Sequence, residues 1–333
     1  MTLNGFLREV AAAQRRAARN EQRRQRLANR VAKLQAKVDE LERAALEVEE
    51  YTDRIAQLTS IHHSVGEPVN WSEIAARTAP EEPDRQSRWE SAAVAKRDQF
   101  KPAFWQRWFR QEEKLRAKLD QAVVEARNKD EASYSGAIKL YQQQLKQWQA
   151  TTQLATSVLA GNTVALQTAL NELEPLAEMQ EMGCVFEVSF PDAHTALVDL
   201  AVESESVVPK ESKSLTGSGK LSVKNTPQAK FFELYQDYVC GCVLRTAREF
   251  FSFLPLTRVV VTVHATLLNS ATGHLNKQSI LSVGIPRSTC EGLNFQSVDP
   301  SDAMKLFPHR MGFKRSQGFS AIRQLAPEEY PSV

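Results

Sequence analysis

Leu3, Phe6, Val10, Ala13, Ala17, Asn20, Arg24, Leu27, Val31, Leu34, Val38, Leu41, Ala45, Val48, Thr52 and Ile55 succeed one another at alternating spacings of three and four residues. No glycine or proline interrupts the series after Gly5. A 3,4 repeat sustained this long specifies one helix, about 80 Å in length at 1.5 Å per residue, whose apolar stripe requires a second helix. Asn20 and Arg24 are polar positions in the stripe; they cost stability and can fix register and strand number. The expectation is a coiled coil over residues 1–63. Its partner is a copy of the chain, another protein, or a later helix of the same chain folded back as a hairpin.

Proline then breaks the pattern. Pro68, Pro80 and Pro83 fall in a linker, 64–87, with a short turn of helix expected from Ser72. Residues 88–160 return to helical spacing at Leu115, Leu119, Ala122 and Ala126, and again from Tyr134 through Leu159. Within them, "FKPAFWQRWFRQ" sets Phe104, Trp105, Trp108 and Phe109 on one face between Lys101, Arg107 and Arg110. That face suits packing against other helices better than a membrane interface, because the helix continues as a charged, non-amphipathic stretch.

After residue 160 the period changes. Thr163 starts a helix to about residue 181 that Pro175 bends or splits, and "CVFEVSF" and "TALVDLAV" read as strands around the turn "PDAH". Two further strands flank "TGSG", a long helix follows from Thr226-Pro227, and "RVVVTVHATLL" and "SILSVGI" close the order. The fold class is therefore an N-terminal all-α long coiled coil or helical hairpin followed by an α+β domain, 161–333, with a mainly antiparallel sheet.

Charge is segregated along the chain. Residues 1–38 hold ten Lys and Arg against Glu9 and Glu21, whereas 39–54 hold seven acids against Arg43 and Arg54. Residues 207–230 carry five lysines against Glu211, and 303–323 carry five Lys and Arg with no acid. Such blocks point to a polyanion or an oppositely charged partner. Cys184, Cys240, Cys242 and Cys290 have no zinc spacing, no apolar leader precedes them, and no apolar run is long enough to cross a membrane. A reducing, cytoplasmic setting is the expectation.

The segment "VVPKESKSLTGSGKL", residues 207–221, concentrates the chemical options. A phosphate loop fails, because Ser214 stands where the first glycine belongs and Leu221 where the hydroxyl belongs. Glu211 and Lys213 are two apart and share a strand face, and Asp199 sits mid-strand between Leu197-Val198 and Leu200-Ala201, a costly place for a carboxylate without a partner. A second acid-x-Lys triplet, Glu112 to Lys114, lies in the helical half, so placement rather than the motif carries the information. The other reading of the segment is a basic ribbon. Lys210, Lys220, Lys224 and Lys230, with Arg310, Lys314 and Arg315 among Phe307, Phe313 and Phe319, would neutralise phosphates and stack bases of DNA or RNA.

The order of elements over roughly 163–266, with Asp199 and Glu211-x-Lys213, resembles the PD-(D/E)xK restriction-endonuclease-like superfamily. The resemblance implies a core of helix, three antiparallel strands, helix and strand. It implies Asp199 and Glu211 on one Mg²⁺ or Mn²⁺, Lys213 near the attacking water, and Glu174 or Glu178 assisting. Pro191-Asp192 lies in the preceding turn and Pro209 sits awkwardly for a central strand, both departures from the family pattern. "LYQDYVCGCVLR", "ILSV" and "DPSDAM" also resemble an uncharacterised bacterial protein family, which implies no activity.

Two functions stand at this point. The first is an oligomerisation or docking protein that self-associates or takes a protein partner through its coiled coil, bears an α+β domain that binds nucleic acid or protein, needs no cofactor, and would suit genome defence. The second is a metal-dependent nuclease using Asp199, Glu211 and Lys213.

Overall fold

A computed structural model describes residues 3–101, 112–268 and 273–330. The side chains of Leu3 to Arg23 and the aromatic face of Phe104, Trp105, Trp108 and Phe109 lie outside the described residues. Two compact units divide the chain: Met1–Glu67 with Glu174–Val333, and Pro68–Leu173.

In the first unit, α1 (Leu3–Ser60) is one uninterrupted helix, as the absence of helix breakers requires. The rest is an α+β body. Its first hairpin is β1 (Val185–Ser189) and β2 (Thr195–Ala201), antiparallel as "PDAH" suggests. Next come β3 (Glu211–Leu215) and β4 (Leu221–Asn225), then the central helix. β5 (Arg258–Leu268), β6 (Leu275–Pro286) and β7 (His309–Met311) complete a five-stranded sheet in the order β1-β2-β5-β6-β7. Only the β2–β5 pairing among these is parallel, so the sheet is mainly antiparallel.

One expectation needs correcting. β3 does not extend the β1–β2 meander as a third strand; it pairs with β4 alone in a separate two-stranded ribbon, and β5 takes the place beside β2. The composition explains the exchange. β5 offers Val259, Val261 and Val263, all fully buried, whereas "ESKSL" of β3 has no apolar face with which to close a core.

The long helix of the body anchors everything else. It runs from Gln228 to Phe253 and buries seventeen residues, packing against β5, so both its broad apolar set and the sheet's inner face leave water together. Pro227 is its cap rather than its first helical residue. Upstream, the expected split at Pro175 occurs: one helix ends at Leu173, Glu174 takes a positive φ of 42°, and a short helix spans Ala177–Glu181. Asn162, not Thr163, caps the first of these, accepting from the Val164 and Ala165 amides at 2.9 and 3.1 Å.

A charged contact on the long helix makes a pH prediction. Asp237 is half-buried and lies near Asp299, which caps the short helix Pro300–Ala303; burial first, then Asp299, pushes its carboxyl from 3.8 up to about 6. An acid raised in this way favours the folded state when protonated. Its contribution to stability is therefore fully present below pH 3.8 and is lost as pH rises through about 6. Asp237→Asn is expected to gain roughly 1–2 kcal/mol at pH 7, after discounting for solvent screening, and nothing at pH 3.5. Denaturant titrations at the two pH values measure it.

The second unit is helical: Trp71–Ala75, Arg88–Asp98, Glu112–Leu159 and Thr163–Leu173. The helix at Arg88 lacks a cap of its own, since Ser87 makes no side-chain capping bond. Asp130, from the long helix, does the work instead, accepting from the Trp89 and Glu90 amides at 3.2 and 2.7 Å while almost fully buried. Lys129 lies over the Trp89 ring and Arg127 pairs with Glu90 at 2.6 Å, closing the same corner. Asp130→Ala is expected to cost about 1–2 kcal/mol, read from thermal unfolding, because two orphan amides lose their acceptor.

Candidate functional site

The basic ribbon β3–β4 does not stand alone: it lies against α1. Lys213 Nζ pairs with Glu47 Oε2 at 2.9 Å, and Lys220 Nζ with Glu40 Oε1 at 3.4 Å. The Glu47 hydrogen bond holds the Lys213 ammonium above its ordinary pKa. Gly219, in the ribbon's turn at φ 79°, brings its backbone against Leu41, where an added Cβ would come within 3.1 Å of Cδ2. Arg54 reaches the Val207 carbonyl at 3.4 Å. Two acids of the block 39–54 thus meet two lysines of the block 207–230 inside the chain.

Further along, the end of α1 is seated on α7, the long helix of the body (Gln228–Phe253) and the seventh α-helix among the described residues. Arg248 donates to the His62 and His63 carbonyls at 2.5 and 3.0 Å, a cation at a helix C-terminus. His62 is buried, and burial together with His63 lowers its pKa, so it is held neutral beside that guanidinium. Glu249 accepts from the Gly66 amide at 3.0 Å, and Ser252 donates to the Gly66 carbonyl at 3.0 Å.

The stripe that α1 gives to the body is Glu40, Ala44, Glu47, Arg54 and Leu58; Ala44 and Leu58 are buried, and the other three make the polar bonds. It is not the heptad stripe. Leu27, Val31, Leu34 and Val38 keep 61, 65, 60 and 46% of their surface exposed.

A second polar arrangement crosses the sheet. Asp199 Oδ1 on β2 lies within hydrogen-bond distance of His264 Nε2 on β5, at 2.7 Å, and His264 Nδ1 lies 3.3 Å from Ser279 Oγ on β6. The Gln324 amide donates to the same hydroxyl at 3.3 Å. The C-terminal segment holds this row in place, with the Ile322 amide on the Ser279 carbonyl and the Leu325 amide on Ser282 Oγ. The mid-strand carboxylate thus has a partner, and it is a histidine on the neighbouring parallel strand.

The candidate nuclease residues are placed apart. Asp199 belongs to the five-stranded sheet and bonds His264, whereas Glu211 and Lys213 belong to the ribbon, where Lys213 bonds Glu47. Glu178 accepts from Arg245 at 2.5 Å. No group of three or more His, Cys, Asp and Glu among the described residues is arranged to hold a metal ion. Of the candidate nucleic-acid residues, Lys220 pairs with Glu40, Arg310 with Glu329, and Arg315 with Glu233 at 3.0 Å. Lys210, Lys224, Lys230 and Lys314 make no ion pair among the described residues, and Phe307 and Phe319 are buried rather than offered for stacking.

Sequence reasoning missed Glu40, Glu47 and His264. The first two were in view as an acidic block, but its complement was sought outside the chain. His264 was hidden because nothing in a sequence announces that β2 and β5 lie side by side. No helix among the described residues is long and apolar enough to cross a membrane. The chain matches no protein-family model, no curated protein and no solved structure.

Proposed function

We propose that the protein is a docking protein without chemistry of its own: α1 pairs with another helix along its heptad stripe, and the α+β body fixes α1 and offers the binding surface. The observation that carries this reading is the exposure of Leu27, Val31, Leu34 and Val38 on a helix whose opposite end is clamped by ion pairs and buried apolar contacts. Full burial of each such side chain contributes about 1.5–3 kcal/mol, so four in a row form a strong site for a helix and a liability without one. A protein partner fits better than nucleic acid, since Lys213, Lys220, Arg310 and Arg315 already meet Glu47, Glu40, Glu329 and Glu233.

Incubation of the purified protein with plasmid and Mg²⁺ or Mn²⁺ tests the absence of chemistry. The plasmid is expected to stay intact. Cleavage that disappears in Asp199→Ala would replace this reading with the nuclease, and metal-independent, salt-sensitive retention on DNA would replace the protein partner with nucleic acid.

A further inference from the structure

We propose that the helix docked on α1 is the α1 of a second copy of this chain, parallel and in register, so that two α+β bodies are carried on one two-stranded coiled coil. The inference rests on the docking reading above and names its partner.

The body leaves room for such a pairing. Its contact stripe, Glu40, Ala44, Glu47, Arg54 and Leu58, runs alongside the heptad stripe, and Glu40, Ala44, Glu47 and Arg54 each precede a stripe residue (Leu41, Ala45, Val48, Ile55) by one. One residue is about 100° of rotation on a helix. The body therefore occupies a flank of α1. Ala45 and Thr52 stay exposed, whereas Leu41, Val48 and Ile55 are half-buried, Leu41 against Gly219 of the ribbon, so the fully open part of the stripe is Leu27–Val38.

The residues bordering the stripe choose the partner and the direction. On one border stand Arg30 and Lys37; on the other, Gln35, Glu42 and Glu49. In a parallel, in-register pair each residue of the first border meets the second copy's residue five positions on. Arg30 then meets Gln35, and Lys37 meets Glu42, of the other copy. An antiparallel pair centred on this stretch would set Arg30 against the second copy's Lys37 and Lys37 against its Arg30, four cations on one border. A second copy thus supplies the complementary charge and the matching apolar repeat from the same sequence. Arg24, which lies in the stripe and is exposed, is the cost of the arrangement and sets an upper bound on its affinity.

Sedimentation of the full-length chain across the micromolar range is expected to show a reversible dimer. The double variant Leu27→Glu/Leu34→Glu should raise the dissociation constant by about 100-fold or more. Both positions are exposed in the single chain, so the variant should keep a folded α+β body and lose only the stability that association adds. Ala36→Glu, on the outer face of α1, should leave the dimer intact. Direction is read by single cysteines, since the four native thiols are buried. Leu27→Cys and Leu34→Cys should each give disulfide-linked dimers on mild oxidation, because every position faces its own copy only in a parallel pair.

A chain monomeric throughout the range, a dimer indifferent to the double variant, or cross-linking at only one of the two positions would each overturn the proposal. These failures are separable from failure of the docking reading: a monomer that leaves plasmid intact loses only the second copy, whereas plasmid cleavage removes the docking reading whatever the assembly.

Discussion

Glu249→Ala is expected to destabilise the protein by about 3–5 kcal/mol, the largest loss from any single polar residue of the body. Glu249 is 3% exposed and takes two bonds, from Arg245 Nε at 3.2 Å and from the Gly66 amide at 3.0 Å. Arg245 is itself 6% exposed, and its remaining partner, Glu178, lies largely in solvent. Removing Glu249 strands a buried guanidinium beside a carboxylate too well hydrated to compensate it, and leaves the Gly66 N–H without an acceptor. The effect should be both global and local. Urea titration reads the first, and hydrogen exchange of residues 61–66 reads the second, because these residues are what the last turns of α7 hold. Glu249→Gln, which keeps an acceptor for Gly66 but not the charge, should lose about half as much. A loss below about 1 kcal/mol for the alanine variant would show that α1 is not anchored through this network.

What was legible in the sequence divides along a physical line. Local signals were read correctly where the local energy decides: α1 follows from an unbroken heptad repeat, β1–β2 from alternation around a turn, and the break at Glu174 from the residue before a proline, which disfavours helix. Non-local pairing was not legible. β3 carries the right alternation for a strand, yet whether it enters the sheet depends on competition with β5, whose three buried valines win the position beside β2. The site suffered most from this. Asp199 and Glu211 were put on neighbouring strands by an assumed order, whereas Asp199 lies in the five-stranded sheet bonded to His264 and Glu211 lies exposed on the separate ribbon. Charge was informative in amount and misleading in address: the acids of 39–54 and the lysines of 207–230 find each other across more than 150 residues of chain. What the sequence showed without the fold was the heptad stripe, and what only the fold could show is that the body sits on the flank and leaves that stripe open from Leu27 to Val38.

The same substitution, glycine to alanine in a helix interior, is expected to change stability in opposite directions at Gly136 and Gly241. Intrinsic propensity favours alanine by about 1 kcal/mol at either site. At Gly136, in the long helix of the second unit, an added Cβ meets nothing within 4 Å, so the propensity term acts alone and Gly136→Ala should gain about 1 kcal/mol. At Gly241, in the middle of α7, the Cβ would lie 2.6 Å from Ile61 Cγ2 and 3.6 Å from His62 Nδ1. Neither can yield: Ile61 is 4% exposed, and His62, 1% exposed, carries one of the two carbonyls that Arg248 grips. Overpacking costs about 1–3 kcal/mol and exceeds the propensity gain, so Gly241→Ala should lose about 1 kcal/mol net and Gly241→Leu about 3 kcal/mol or more. The absent side chain is therefore what allows α1 to reach α7, and the loss should be accompanied by faster exchange at residues 58–66. If Gly241→Ala stabilised the chain as Gly136→Ala does, α1 and α7 would not be in contact, and the clamp that holds the heptad stripe away from the body would have to be sought elsewhere.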